Sequence, residues 1–474
     1  MLNTKLLTLL QNLSGKEKQA VEDYFCQPYY AQKHALLSGL LKYLFQNMDY
    51  PDKLSKPTVF HYLFAAEPYD DLKLRHLIAE TLQHVEQALL AYHSKTENPD
   101  SRLQLLELYR SKRLSKHYKA VSQKLETHFD RHPHRHALYY YRRFLFMQNQ
   151  DLFTENRNEP QKQTFLAQAS EALDVFYLAN KLRMIAQMAT LKKLRDTEEI
   201  ILLSADLLPV IQAGNWLRYP VIAFYYHVVM MQIEPDNAHH FNQLNLLFET
   251  QNQLLPPDEA REMLYFLLNY CAVKINAGNT DFLHKIYSLY ELGLHTRLMM
   301  EDNFLSPWNY KNIVTVALRL GFDEQARRFL EQYSPFLPPE HRNNAYTYNM
   351  ANYHFFKRHY NKVLQLLQQV SYDDVFYSLD ARTLLLKTYY ELNEQESLIS
   401  LIDSFRQWLN RTKELNKQRQ LTYRNLLYFV KKLIGLPPRN AQKRNDLINQ
   451  INQTPAIADK RWLLSKMNGK WYST

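Results

Sequence analysis

The stretch YNMANYHFFKRHYNKVLQLLQQV, Tyr348 to Val370, decides how the chain is read. Its apolar and small residues recur at three- and four-residue spacing, which places them on one face of a helix. The run Lys357-Arg358-His359 interrupts that spacing, and Tyr360, Val363 and Leu367 resume it. Two helices joined by a short turn are predicted. One such pair cannot bury both of its apolar faces, so the stretch raises the question of whether the chain repeats it.

Three relatives lie nearby. KNIVTVALRLGFDEQARRFLEQY starts at Lys311, with Gly321 at the turn and Ala326 at the helix crossing. LNYCAVKINAGNTDFLHKIYSLY starts at Leu268, with Gly278 at the turn, and TLLLKTYYELNEQESLISLIDSF starts at Thr383. The starts are 43, 37 and 35 residues apart. The pattern resembles the tetratricopeptide repeat: Tyr348, Met350 and Ala351 match its first-helix positions, and Tyr360, Val363 and Leu367 its second-helix positions. Arg358 stands where that family usually carries glycine, and the spacing exceeds the family's 34 residues.

Composition points the same way. Only eight glycines occur in 474 residues, and the closest two, Gly278 and Gly293, are fifteen positions apart. Glycine-rich phosphate loops and hairpin-rich sheets are therefore excluded. Period-two alternation is nearly absent. Prolines in RYPVIAF, LLPPDEAREM, LSPWNY, FLPPEHR and GLPPRNAQK mark helix starts, where the missing N–H costs nothing. The acid pairs Asp70–Asp71 and Asp373–Asp374 also read as helix starts.

The expected fold class is all-α, a tetratricopeptide-like superhelix of antiparallel helix pairs with an N-terminal helical module. Residues 1–95 form that module, with Ser14 and Glu17 as a capping box. Residues 96–215 are irregular helical repeats, with no fixed register between 161 and 214. Residues 216–411 hold the repeats, and 412–474 are basic capping helices. LSGKEKQAVEDYFCQPYY, LFAAEPYDDLKLRHLIAETLQHVEQALLAY and the terminal RWLLSKM are similar to an uncharacterised family of helical-repeat proteins from Bacteroidetes-type bacteria. That resemblance implies the architecture and carries no function.

Two cysteines, Cys26 and Cys271, offer neither a disulfide framework nor a zinc pattern. The strongly apolar run Val221 to Met231 is about half a membrane span, and the N-terminus has too short an apolar run for a secretory signal. A cytoplasmic protein with no membrane association is expected.

Net charge is +10 and uneven. Phe405 to Asn445 holds eleven basic residues against Glu414 alone, and Tyr109 to Phe144 holds ten against Glu126 and Asp130. Charge interleaved with aromatics suits single-stranded nucleic acid, although the same rings also fall at core spacing. SKPTVFHYLF (Ser55 to Phe64) begins like a DNA-recognition helix. No partner helix with a tight turn precedes it, so it reads as an N-capped amphipathic helix burying Val59, Tyr62 and Leu63. HFDRHPHRH (His128 to His136) puts His128 and His132 one turn apart, but Pro133 breaks the helix and a polar turn is the better reading. No nucleophile–base pair, metalloprotease motif or cofactor loop is present, so neither catalytic residues nor metal nor cofactor are expected.

Superimposing the repeats puts Lys311, Thr315, Arg319, Tyr348, Asn352, Phe356, Lys387 and Glu391 on the face formed by first helices. The leading expectation is a non-enzymatic scaffold that binds a protein or peptide there. Some tetratricopeptide proteins clamp a C-terminal carboxylate with Lys and Asn one turn apart. Here Lys311 is followed by Thr315, and Asn352 is preceded by Tyr348, so that clamp is not reproduced. The alternative is a nucleic-acid-associated factor using basic helices 109–144 and 405–445, with Arg419, Arg424, Lys431 and Lys432 as contacts. An enzyme with a site between repeats is the third reading.

Overall fold

Apolar residues at helical spacing become helices along nearly the whole chain. The structure, a computed structural model, describes residues 4–27, 35–65, 67–95, 98–154, 160–195, 207–371, 375–436 and 441–467. Among them are twenty-three α-helices and one pair of two-residue strands. Asp373–Asp374 and Pro437–Pro438 lie outside the described residues. The chain divides into two compact units, residues 1–132 with 137–177, and residues 133–136 with 178–474.

The first unit starts with α1 (Lys5–Gln11), α2 (Gly15–Phe25), α3 (Ala35–Asn47), α4 (Lys56–Leu63) and α5 (Asp71–Lys95). The capping box at α2 is formed: the Ser14 N–H donates to Glu17 Oε2 at 2.8 Å, and the Glu17 N–H donates to Ser14 Oγ at 3.4 Å. Helices α1 to α4 pack on the long α5, around Leu6, Leu10, Val21, Leu40, Leu44 and Val85. Ser55 caps α4 as expected, by accepting from the Thr58 N–H. Its buried face differs from the sequence reading. Phe60 is enclosed with Val59, its ring 4.7 Å from Phe64 and 5.4 Å from Tyr69, while Tyr62 is exposed and Leu63 half-buried. Three further helices follow: α6 (Pro99–Ser111), α7 (Ser115–Arg131) and α8 (Ala137–Phe153). Tyr118 of α7 stacks on Phe153 at 3.7 Å and donates its hydroxyl to the Asn149 carbonyl. The histidine-rich stretch runs off the end of α7 and forms the connection to α8.

The 36-residue α9 (Pro160–Arg195) contains the division between the units. The second unit continues with α10 (Leu207–Ala213), α11 (Pro220–Ile233), α12 (Ala238–Gln251), α13 (Pro257–Asn276) and α14 (Phe282–His295). Then come α15 (Pro307–Arg319), α16 (Asp323–Tyr333), α17 (Pro339–Phe356), α18 (Tyr360–Leu367), α19 (Val375–Glu391) and α20 (Gln395–Arg411). Last are α21 (Lys417–Ile434), α22 (Ala441–Gln453) and α23 (Lys460–Met467). Pro220, Pro257, Pro307 and Pro339 each occupy a first turn. From α11 to α21 every helix packs on the next, and α15, α17 and α19 also pack on one another in succession. The apolar run Val221 to Met231 is buried throughout, and no described helix is long and apolar enough to cross a membrane.

One turn recurs through this array. After α13, α15, α17 and α19 the residues Gly278, Gly321, Arg358 and Asn393 adopt positive φ, of 106°, 75°, 59° and 59°. In each turn the following N–H reaches back five residues, to the carbonyls of Lys274, Ala317, His354 and Tyr389, at 2.9–3.0 Å. This is the Schellman closure, which satisfies carbonyls that a helix end would leave unpaired. The four positions are 43, 37 and 35 residues apart, the spacing of the sequence repeats. Arg358 thus keeps the left-handed geometry without glycine's freedom. The sequence gives no warning of the strand pair Met300–Glu301 and Phe304–Leu305, which turns on Asp302 and Asn303, both at positive φ.

Candidate functional site

Residues three and four apart stand one above another on a helix. On α15 this brings Lys311, Thr315 and Arg319 into line; on α17, Tyr348, Asn352 and Phe356; on α19, Asp380, Leu384 and Lys387. All nine line one cavity of about 860 Å³ in the second unit. Its remaining walls come from the end of α13 (Ile275, Asn276), the start of α21 (Arg419, Thr422, Tyr423) and residues 457–461 leading into α23. Two hydrogen bonds hold that last segment on α21. The Ala458 N–H donates to the Thr422 carbonyl at 3.2 Å, and Asn425 Nδ2 donates to the Ala456 carbonyl at 2.7 Å.

The lining is largely polar, and its charged residues are mostly basic. Lys311, Arg319, Lys387, Arg419, Lys460 and Arg461 face two acids, Asp380 and Asp459. Both acids are spoken for. Lys311 Nζ donates to Asp380 Oδ2 and lies 4.5 Å from the Trp308 ring centre; Lys387 Nζ donates to Asp459 Oδ2 at 2.8 Å and lies over the Phe355 ring. Burial lifts the Asp380 carboxyl above its ordinary range, although Lys311 opposes the shift. Burial also raises the hydroxyls of Tyr348 and Tyr423, and the two aspartates add to the effect, so both remain neutral donors. Thr315 and Thr383 donate to carbonyls of their own helices. No imidazole or thiol is among the lining residues. Apolar area comes from Ile275, Phe355, Phe356, Leu384, Ile457 and Ala458.

Seven of the eight residues placed on the first-helix face by the sequence therefore meet around one cavity. Glu391 does not. One turn beyond Lys387, it is covered by α23, where it accepts from Lys466 Nζ and, at 3.1 Å, from Trp462 Nε1. Its role is to fasten the last helix.

The four basic residues of the nucleic-acid alternative are divided. Arg419 lines the cavity. Arg424 donates to Asn410 Oδ1 at 2.6 Å, Lys432 donates to Gln450 and lies over the Tyr428 ring, and Lys431 is exposed in the last turn of α21. Those three lie outside the cavity lining.

Sequence reasoning missed Asp380, Tyr423 and the Asp459–Arg461 segment. Asp380 had a signal: it sits one turn before Leu384 on the same face of α19, just outside the repeat start placed at Thr383. Tyr423 comes from α21 and Asp459–Arg461 from the segment leading into α23, and their positions depend on packing beyond the repeats. Elsewhere in this unit, Arg183 bridges Glu259 and Glu262, and Tyr225 donates to both acids. Among the described residues no group of three or more His, Cys, Asp or Glu is placed to hold a metal ion.

No protein-family model, curated protein or solved structure matches the chain.

Proposed function

We propose that this chain is a cytoplasmic, non-enzymatic scaffold with a tetratricopeptide-like helical array, and that it holds a segment of another protein in the cavity formed by α15, α17 and α19. The observation that carries this reading is convergence. Residues chosen only by repeat register line one cavity of about 860 Å³, within the size range of ligand sites. The face is braced, because α15, α17 and α19 pack on one another in succession and lysine–aspartate pairs tie α15 to α19 and α19 to residue 459. A braced face costs less entropy when it binds. The non-enzymatic part rests on the pairing of each lining carboxylate with a lysine and on the absence of a base–nucleophile pair in the lining.

The test is capture from the native cell with the full chain, wild type against Thr315→Trp, which fills the cavity without removing an ion pair, and Arg419→Glu, which changes an exposed lining residue. Circular dichroism confirms that each variant folds. Partners recovered by wild type and lost by both variants agree with the reading. Partners recovered equally by all three refute it.

A further inference from the structure

We infer that the corner between α6 and α7, in the first unit, docks on an anionic phospholipid surface, laying cations on its headgroups and inserting leucines beneath them. Such docking is peripheral. It needs no membrane-spanning helix, and none is present among the described residues.

The corner has a fixed shape. Arg113 takes a positive φ of 55°, and the Leu114 N–H reaches back five residues to the Tyr109 carbonyl at 2.8 Å. This is the same closure as in the four turns of the second unit. It sets the last turn of α6 beside the first turn of α7. Beneath it Leu103, Leu106, Tyr118, Leu125 and Phe129 are buried in one core.

The side chains left outside are of two kinds. Lys112, Arg113, Lys116, Lys119 and Lys124 are exposed. None of the five makes an ion pair or a side-chain hydrogen bond among the described residues. No acid lies between Leu108 and Leu125, and Glu107 and Glu126 bound the stretch. Like charges so close repel one another, and a polyanion relieves that repulsion. Among the cations stand leucines. Leu108 and Leu114 are 44% and 38% exposed, and Leu105, one turn back on the same face of α6, is 40% exposed.

That mixture selects the partner. An anionic bilayer attracts clusters of roughly four to eight lysines and arginines, and it offers an apolar layer just beneath its headgroups. Leucines entering that layer leave water. Nucleic acid fits less well, because it would leave the leucines in water against phosphates. Single strands also need open rings on which bases stack. Here Tyr118 is enclosed and stacked on Phe153, and Tyr109 is half-buried with its ring 5.4 Å from His117.

Vesicle sedimentation with the full-length protein tests this. Phosphatidylcholine vesicles are compared with vesicles that also carry about 30% phosphatidylserine, at about 50 mM and about 300 mM salt. A short DNA duplex and oligothymidylate serve as nucleic-acid probes. The protein should sediment with the anionic vesicles and not with the neutral ones, and the higher salt should weaken binding at least about fivefold. Lys112→Glu with Lys116→Glu should lower partition at least about twentyfold, since each cation near such a surface contributes about fivefold. Leu108→Ser with Leu114→Ser leaves the charge unchanged and should lower it at least about threefold. Arg424→Glu with Lys431→Glu, from the other basic stretch, should bind vesicles like wild type. All six altered side chains are exposed, and circular dichroism checks that each variant folds. Equal sedimentation with both kinds of vesicle, or with neither, overturns the inference. Anionic binding that survives the lysine reversal, or is lost instead in the Arg424 and Lys431 variant, overturns it too. A leucine pair without effect makes the corner a bare charge patch and refutes insertion. A DNA probe that binds more tightly than the anionic vesicles, and is lost in the lysine variant, makes nucleic acid the partner and overturns the inference.

Discussion

Trp462→Ala probes the contact that joins stability to the candidate site. Trp462 is fully enclosed at the start of α23, with its ring 5.3 Å from Tyr390 in edge-to-face contact and its Nε1–H donated to Glu391. An enclosed aromatic side chain removes about 150–250 Å² from water, worth roughly 4–6 kcal/mol at about 25 cal/mol per Å² as an upper bound. Measured truncations of large aromatics run to about 3–5 kcal/mol. We take about 4 kcal/mol. The chain has two units, so a global unfolding midpoint would blend their responses, and amide hydrogen exchange is the suitable assay. About 4 kcal/mol corresponds to roughly a thousandfold loss of protection, in α23 and the neighbouring turns of α19 and α21. Protection in α1 to α5 should not change. Trp462→Phe keeps most of the packing and loses the indole hydrogen bond, so its cost is about 1–2 kcal/mol. The consequence for binding follows from geometry: residues 457–461 form a wall of the cavity, and loosening α23 releases Asp459, Lys460 and Arg461 from it. A loss of protection below about tenfold in Trp462→Ala would refute the claim that this residue docks the last helix.

Other expectations are simpler to check. Gly321→Ala places a Cβ in open space but in a left-handed conformation, so it costs about 1–2 kcal/mol from backbone strain alone. Arg358→Gly relieves the same strain and should be neutral to stabilising, by up to about 1 kcal/mol after the entropy of the unfolded chain is counted. Thermal melts of both variants decide. His227 is buried, contacts His240 Nδ1 to Nδ1 at 3.1 Å, and is lowered to about 4 by burial first and by His240 and His239 next. Its folded pKa lies below its unfolded one, so its contribution is complete above about pH 6.5 and is lost as pH falls toward 4. That amounts to about 2 kcal/mol by pH 5. His227→Leu should lose this part of the pH dependence in denaturant titrations at pH 7 and pH 5, and an unchanged slope contradicts it. Burial pushes the Cys271 thiol up to about 12, while Cys26 is exposed. A thiol reagent should count one reactive group in the native chain and two in denaturant.

Much of the fold was legible because its determinants are local. Helical spacing, prolines in first turns and the Ser14–Glu17 box act within a few residues of chain. The turn positions were legible too, even where Arg358 replaces glycine, since the interruption at Lys357–His359 falls at the same phase as Gly321 and Gly278. What could not be read depends on distant packing. Phe60 rather than Tyr62 enters the core, which α4 shares with residues from Leu6 to Ala88. Glu391 leaves the cavity because α23, some seventy residues later, lies over it. The same return of the chain brings Asp459 to Lys387, a pairing that repeat register does not encode. The basic stretch 405–445 looked uniform in sequence, yet folding separates Arg419 from Arg424, Lys431 and Lys432.

The central claim is that the cavity between α15, α17 and α19 is where a protein segment sits. Its most direct test is a photo-crosslinking residue placed at Phe356, in the lining, or at Tyr428, exposed on α21 outside it, with each full-length protein irradiated in its native cell. The account predicts a discrete covalent protein adduct from position 356 and none from position 428. An adduct from position 428 with none from position 356 would contradict it.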